Sequence, residues 1–181
     1  MKNLCVYDFD HTLVHTSSKI RLKETSETVS QQFYEEYIKV NGFKSLKHFD
    51  FSDYDAIVDP VPIEQTLSRL MSDLEQKHDC FILTARRNPL PIAEYLPTLL
   101  SGKTVPVVSV NDSKFRFNWI DGDHKRKAAW IANKLSKNKY SSFCYYEDSE
   151  KNALEVFRNN SKNSKLNVFV YIVKNDTIAP I

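Results

Sequence analysis

The run DFDHT places two carboxylates, Asp8 and Asp10, one residue apart directly after a short apolar stretch, residues 4–7. Acids at i and i+2 just past a strand can divide the labour of hydrolysis: one attacks, and the other carries a proton to or from the reacting oxygen. The same placement recurs. Thr84 and Arg86 follow the apolar residues 81–83, and Glu147 and Asp148 follow residues 143–146. Like charges gathered at one edge repel, and a hard divalent cation such as Mg²⁺ takes this kind of carboxylate and carbonyl oxygen set. A site with a cation and room for phosphate follows. Phosphate monoester hydrolysis needs up to ~10²¹-fold acceleration, most of it from positioning and charge stabilisation. A carboxylate that attacks a phosphate dianion also needs an ammonium nearby. Lys125 and Lys127, at the start of a helical stripe of Ala128, Ile131 and Leu135, both offer one.

The elements that must carry these residues are legible in the hydrophobic pattern. Residues 4–7, 81–83, 105–110, 143–146 and 168–173 are continuous apolar runs, the pattern of parallel strands covered on both faces. Helical stripes lie between them: Ile63, Leu67, Leu70 and Leu74 after Pro62; Ile92, Leu96 and Leu99 after Asn88-Pro89; and Ala153, Leu154 and Phe157. Alternating strands and helices predict one α/β domain over residues 1–181, doubly wound on a mainly parallel five-stranded sheet, with ligands bound beyond the carboxyl ends of the strands. Residues 16–59 interrupt this pattern after the first strand. There Val29, Phe33, Tyr37 and Val40 form a helical stripe ended by Asn41-Gly42, and Phe43, Phe49, Phe51 and Tyr54 follow. This predicts a small helical cap insertion at the reactive end, read either as a lid or as a surface elaboration.

Composition bounds the class. The chain has 181 residues, an apolar share of 41%, a charged share of 27% and a net charge of +2. These are ordinary for a folded globular protein, and so small a charge does not by itself argue for a nucleic-acid partner. The N-terminal apolar run is too short for a signal peptide and no later run can span a bilayer, so no membrane partner and a cytoplasmic location are expected. Cys5, Cys80 and Cys144 match no zinc or disulfide spacing and read as buried free thiols.

Three of these segments together resemble known motifs. DFDHT at residues 8–12 is similar to the D-x-D-x-T signature of haloacid dehalogenase superfamily phosphatases, ILTAR at 82–86 to their second motif, and YEDSEKN at 146–152 to their fourth. The resemblance implies a Mg²⁺-dependent phosphatase in which Asp8 is the nucleophile and Asp10 the general acid and base. It implies that Asp8, the Asp10 backbone carbonyl and Asp148 bind Mg²⁺, with Thr84 and a third-motif lysine on the transferring phosphoryl group. LTAR followed by KAAWI at 127–131 and YED looks most like the Swiss Army Knife RNA repair-like group, whose pattern selects Lys127 over Lys125. Ala85, His11 and Ser149 depart from residues common in that group. Asn152 stands where many relatives carry a second acid, which leaves Glu147 or water to complete the metal site.

Rival motifs fail on single residues. A calcium loop needs glycine where Leu13 stands and glutamate where Lys19 stands, and a zinc-protease helix needs glutamate where Thr12 follows His11, although His11 and His15 have its spacing. Cys80 and Arg86 match the Cys-x5-Arg spacing of cysteine phosphatases, but the residues between are strand-like and lack glycine.

The expected substrate contacts are Thr12, His11, Arg86 and Lys125; Arg86 and Arg87, just beyond Thr84, either contact a substrate phosphate or pair with acids of the insertion. His11 either lines the phosphate pocket or packs beside it. Lys19, Arg21, Lys23, Arg86, Arg87 and the cluster 125–127, with the insertion's aromatics, suit a phosphorylated nucleotide or nucleic-acid end, or else form a solvated face over aromatics packed in a small core. A small phosphometabolite and a catalytically silent binding module are the alternatives. Oligomeric state has no signature in the sequence.

Overall fold

The structure is a computed structural model that describes residues 2–137, 140–161 and 166–181. In chain order the elements are β1 (Leu4–Tyr7), β2 (Val14–His15), β3 (Ile20–Leu22), β4 (Thr28–Val29), α1 (Gln31–Asn41), β5 (Phe49–Asp50), β6 (Val61–Pro62), α2 (Glu64–Glu75), β7 (Asp79–Thr84), α3 (Leu90–Leu99), β8 (Val107–Ser109), α4 (Asp123–Lys137), β9 (Ser142–Glu147), α5 (Glu150–Asn160), β10 (Asn167–Lys174) and β11 (Thr177–Pro180).

The central sheet runs in the order β11-β10-β9-β1-β7-β8, and its first five neighbours in sequence pattern, β1, β7, β8, β9 and β10, are parallel. These are the five strands expected. They are apolar throughout because alternate residues serve two cores. Cys5, Tyr7, Cys80, Ile82, Cys144 and Tyr146 pack with Ile63 and Leu70 beside α2 and with Ile92 and Leu96 of α3. Leu4, Val6, Leu83, Phe143 and Tyr145 pack with Ala128 and Ile131 of α4 and Ala153 and Val156 of α5. Helices therefore cover both faces. From β1 the chain builds outward through β7 to β8, then crosses to β9 on the other side of β1. That reversal falls between β1 and β9, and the carboxyl ends of strands at such a switch point are where sheets of this kind hold ligands.

The sheet has a sixth strand that the sequence pattern did not show. β11 is antiparallel to β10, joined through Asn175 and Asp176, which have positive φ of 49° and 61°. Two successive left-handed residues make the hairpin turn that matches strand twist, and Asn and Asp tolerate it better than other non-glycine residues. β11 is a mostly exposed edge strand, so it carries no apolar alternation, and Pro180 is tolerated there.

The insertion also differs from expectation. Residues 14–15 and 61–62 pair as a two-strand neck, and the chain between them holds a three-stranded antiparallel sheet, β4-β3-β5, with α1 and two 3₁₀ segments, Phe43–His48 and Ser52–Asp55. It is mixed rather than helical. α1 starts at Ser30, whose hydroxyl accepts from Phe33 N, and stops at Gly42, whose φ of 74° suits glycine and whose N–H donates to Ile38 O. The stop was foreseen; the packing face was not. Val29 belongs to β4, while Phe33 and Val40 are 43% and 81% exposed. The helix instead packs Tyr34 and Tyr37 edge-on against Phe49, each at 5.2 Å. Phe49 of β5 is the centre of this small core, and it draws in the helix face nearest to it. The side chain of Phe43 lies outside the described residues.

Candidate active site

Asp8 is the first residue past β1, and its N–H donates to Tyr146 O at 2.9 Å, which ties it to the end of β9. The chain then turns tightly. Leu13 N and Val14 N both reach Phe9 O at 2.9 and 3.2 Å, His11 N reaches Val14 O at 2.8 Å, and His11 takes a positive φ of 55°. Buried Phe9 anchors this loop in the core.

Lys127 meets Asp8 from α4. It is 1% exposed, with Nζ 3.0 Å from Asp8 Oδ1 and 2.7 Å from Glu147 Oε2. Lys125, two residues earlier and so on the opposite side of the helix, is exposed. Glu147 is fully buried. It accepts from Lys127, from the Tyr145 hydroxyl and, at 3.2 Å, from Ser149 N. Burial pushes the Glu147 carboxyl up, but the Lys127 ammonium and hydrogen bonds from Lys127, Tyr145 and Asp148 outweigh it and hold the group below its ordinary value.

Carboxylate oxygens of Asp8, Glu147 and Asp148 lie within 4.8 Å of one another. Burial, then the neighbouring Glu147, raises the Asp8 carboxyl well above its ordinary value, with Lys127 offsetting only part. The same two causes push Asp148 up to about 7. Three acids face one ammonium, so the cluster is short of positive charge. Its donors are all oxygens, the set that a hard cation such as Mg²⁺ takes. The residues therefore fit a divalent ion. A carboxyl whose folded pKa is raised costs stability as pH rises from the unfolded value through the folded one. The metal-free protein should accordingly lose thermal stability between pH 5 and pH 8. Mg²⁺ should raise the melting temperature more at pH 8 than at pH 5.5, as a thermal-shift series would read.

Asp10 points to a different partner. Arg86 Nε donates to Asp10 Oδ2 at 2.8 Å and Nη2 to Oδ1 at 2.7 Å, a two-pronged pair, and Thr16 Oγ1 donates to Oδ1 at 2.7 Å. Arg86 also donates to Tyr54 O at 3.1 Å, Ala56 O at 2.5 Å and Ser18 Oγ at 3.2 Å, and its guanidinium lies 5.2 Å from the Tyr54 ring centroid. It is 3% exposed, and this set occupies its fork. Of the two roles open to Arg86, substrate contact or pairing within the protein, these contacts favour the second: it fastens the insertion to Asp10. Replacing Arg86 with Lys keeps the charge but loses the fork. Limited proteolysis of that variant should show faster cutting within residues 16–59 than in the wild type.

The remaining expected residues fall as follows. Thr84 is 1% exposed, and its Oγ1 accepts from Arg86 N at 3.1 Å. Thr12 is fully buried and its hydroxyl has no partner among the described residues. His11 is exposed, 3.3 Å from His15 between their Nδ1 atoms. Four of the eight basic residues expected near substrate, Arg21, Arg86, Arg126 and Lys127, are engaged within the protein. Arg21 pairs with Asp53 at 2.6 Å. Arg126 donates to Ile120 O, Asn118 O and Asn111 Oδ1, while Asn111 Nδ2 donates to Ala85 O, so this chain braces the loop after β7. Cys80 sits in the core at the start of β7 and Arg86 beyond its end, which removes the cysteine-phosphatase reading. Cys5, Cys80 and Cys144 are free and buried, as expected, and lie side by side on adjacent strands.

Sequence reasoning missed Tyr145, Thr16 and Asp176. Tyr145 stands two residues before Glu147 on one strand, a period-2 relation that was available in the sequence. Thr16 and Asp176 had no local signal, because each reaches its partner only through the neck of the insertion or the β10–β11 turn.

No family model and no curated protein matches the chain. Among solved structures, the C-terminal domain of a hydrogenase from Pyrococcus furiosus is similar at a TM-score of 0.43 and 10% identity, over 93% of this chain and 89% of that one. A likeness at that level carries no argument. Among the described residues, no helix is long and apolar enough to cross a membrane.

Proposed function

We propose that the protein is a Mg²⁺-dependent phosphohydrolase of the haloacid dehalogenase type that acts through an aspartyl-phosphate on Asp8. The observation that carries this reading is the Asp8 carboxylate at the reversal of strand order, 3.0 Å from a fully buried lysine and grouped with Asp148 and Glu147. A buried carboxylate with both an ammonium and a cation-hungry cluster beside it is arranged to face a phosphate dianion.

Asp8 attacks phosphorus and the bond to the leaving oxygen breaks. Lys127 neutralises charge on the transferring group, and Thr84 donates its hydroxyl hydrogen to a phosphoryl oxygen. Asp10 protonates the leaving oxygen, then removes a proton from the water that hydrolyses the acyl phosphate. Asp8, Asp148 and the Asp10 carbonyl are the residues that would hold Mg²⁺, which would supply further charge neutralisation there. Glu147, expected earlier as a possible ligand, has its oxygens engaged and serves to hold Lys127. The fork of Arg86 holds both oxygens of Asp10 and also binds carbonyls of the insertion. Asp10 reaches a leaving oxygen only when that fork gives way, which links acid catalysis to the insertion and supports its reading as a lid.

The substrate we favour is a phosphorylated nucleotide or nucleic-acid terminus, as in the RNA repair-like group. Because Arg21, Arg86, Arg126 and Lys127 are engaged internally, contacts fall to Lys19, Lys23, Arg87 and Lys125, which are exposed. A short substrate suits so few cations. The test is phosphate release with Mg²⁺ or EDTA from mononucleotides, 3′- and 5′-phosphorylated oligonucleotides and sugar phosphates. Release that needs Mg²⁺ supports the reading, and the preferred compound assigns the substrate class. On an oligonucleotide, KM should shift by less than about tenfold between 50 and 200 mM salt, since few phosphates are contacted. A folded, Mg²⁺-binding protein inert on the whole panel would favour the binding-module alternative.

A further inference from the structure

Outside the carboxylate cluster, one group of metal-ligating side chains has no role in this chemistry. His15 Nε2 lies 2.5 Å from Asp176 Oδ1, and on the other edge of the same ring His15 Nδ1 lies 3.3 Å from His11 Nδ1. A carboxylate only accepts, so the Asp176 contact favours the tautomer with N–H on His15 Nε2, in which Nδ1 presents a lone pair toward His11. A hydrogen bond from His11 is one way to meet that lone pair, but 3.3 Å is long for it. It matches instead two nitrogens bound to one tetrahedral ion: at about 2.0–2.1 Å from zinc, ligand atoms stand about 3.3–3.4 Å apart. A histidine ligand whose second nitrogen donates to a carboxylate is also the usual outer arrangement of such sites, since the carboxylate sets the tautomer and the ring orientation.

The geometry points to a transition-metal site on the Nδ1 atoms of His11 and His15, with Asp176 holding His15 in the binding tautomer. Imidazole pairs suit borderline divalent ions such as Zn²⁺ or Co²⁺, in contrast to the all-oxygen cluster at Asp8, Glu147 and Asp148. His15 is 43% exposed and Asp176 64%, so the ion has access from solvent, and water or an anionic oxygen completes its coordination. The three residues come from three places: the turn after Asp10, the neck strand β2 and the β10–β11 turn. A bound ion therefore joins the reactive loop to the neck of the insertion and, through Asp176, to the C-terminal hairpin. This site stands whether or not Asp8 is a nucleophile.

Calorimetry of the full chain with ZnCl₂ in saturating Mg²⁺, and the visible spectrum with CoCl₂, test it. One ion is expected to bind, with four-coordinate cobalt absorption. His15→Ala should abolish that binding, and Asp176→Asn, which keeps a turn-compatible residue, should weaken it about 10–100-fold. Asp148→Asn should leave it unchanged. Absence of binding to the wild type overturns the inference. So does equal binding by His15→Ala, or loss of the ion in Asp148→Asn, which would place it in the carboxylate cluster. If His15→Ala does not fold, His15→Gln serves, since it retains bulk without an imidazole.

Discussion

Asp8→Asn is expected to lower Mg²⁺-dependent phosphate release by about 10⁴–10⁶-fold, the scale seen when a nucleophile is removed, while the protein stays folded. The amide oxygen is too weak a nucleophile to form the acyl phosphate, yet the side chain keeps its shape and Lys127 keeps Glu147 at 2.7 Å. Stability should move the other way. The Asp8 carboxyl is held well above its ordinary pKa by burial and by Glu147. Its ionisation therefore costs folding free energy as pH rises from the unfolded value toward the folded one. Asn carries no such cost. Without metal, the variant should be more stable than the wild type at pH 8, with the difference shrinking toward pH 5. Urea denaturation at the two pH values reads the stability, and phosphate release reads the chemistry. Retention of more than a tenth of the activity would remove Asp8 from the mechanism.

The second large effect is expected at Lys127. Methionine fills the same space without the charge, so two buried carboxylates, Asp8 and Glu147, lose their shared cation. Removing one partner of a buried ion pair costs about 3–5 kcal/mol. Activity should fall at least on the order of 10³-fold, comparable to losing a transition-state donor. The loss of stability should be largest at pH 8 and smaller at pH 5, because the orphaned carboxyls can then take up protons. Glu147→Gln in the same protein should restore much of the stability by removing one stranded charge, and restore none of the activity. Recovery of both would make Lys127 a structural residue alone.

How much of this was legible beforehand differs by element. The five parallel strands and four of the helices were readable because burial on both faces leaves an uninterrupted apolar run, and because helices between them repeat at 3.6 residues. β11 was not readable, since an exposed edge strand needs no apolar face. The stripe of α1 was misplaced for a related reason: a small core leaves most of a helix exposed, and the burial of Phe49 selected Tyr34 and Tyr37 over Phe33 and Val40.

At the candidate site, Asp8, Asp10, Thr84 and Asp148 were proposed from their places at strand ends, a relation local in sequence, and the fold brings Asp8 and Asp148 together with Glu147. The lysine was narrowed by the burial of α4: residue 127 lies on the covered face and residue 125 on the open one. Arg86 was located at the end of β7 with two partners left open, phosphate or acids within the protein, and in the fold its fork is filled by Asp10 and by carbonyls of residues 54 and 56.

The sequence by itself thus determined the five parallel strands, the layer of helices on each face and the edge on which the acids gather. Each of these follows from apolar periodicity or from which residue comes next after a strand. Only the tertiary structure decided which charge meets which. The pairs Lys127 with Asp8, Arg86 with Asp10, and His15 with Asp176 span 119, 76 and 161 residues. Nothing local encodes such distances; they are set by the order of strands in the sheet and by how the insertion folds back over its neck.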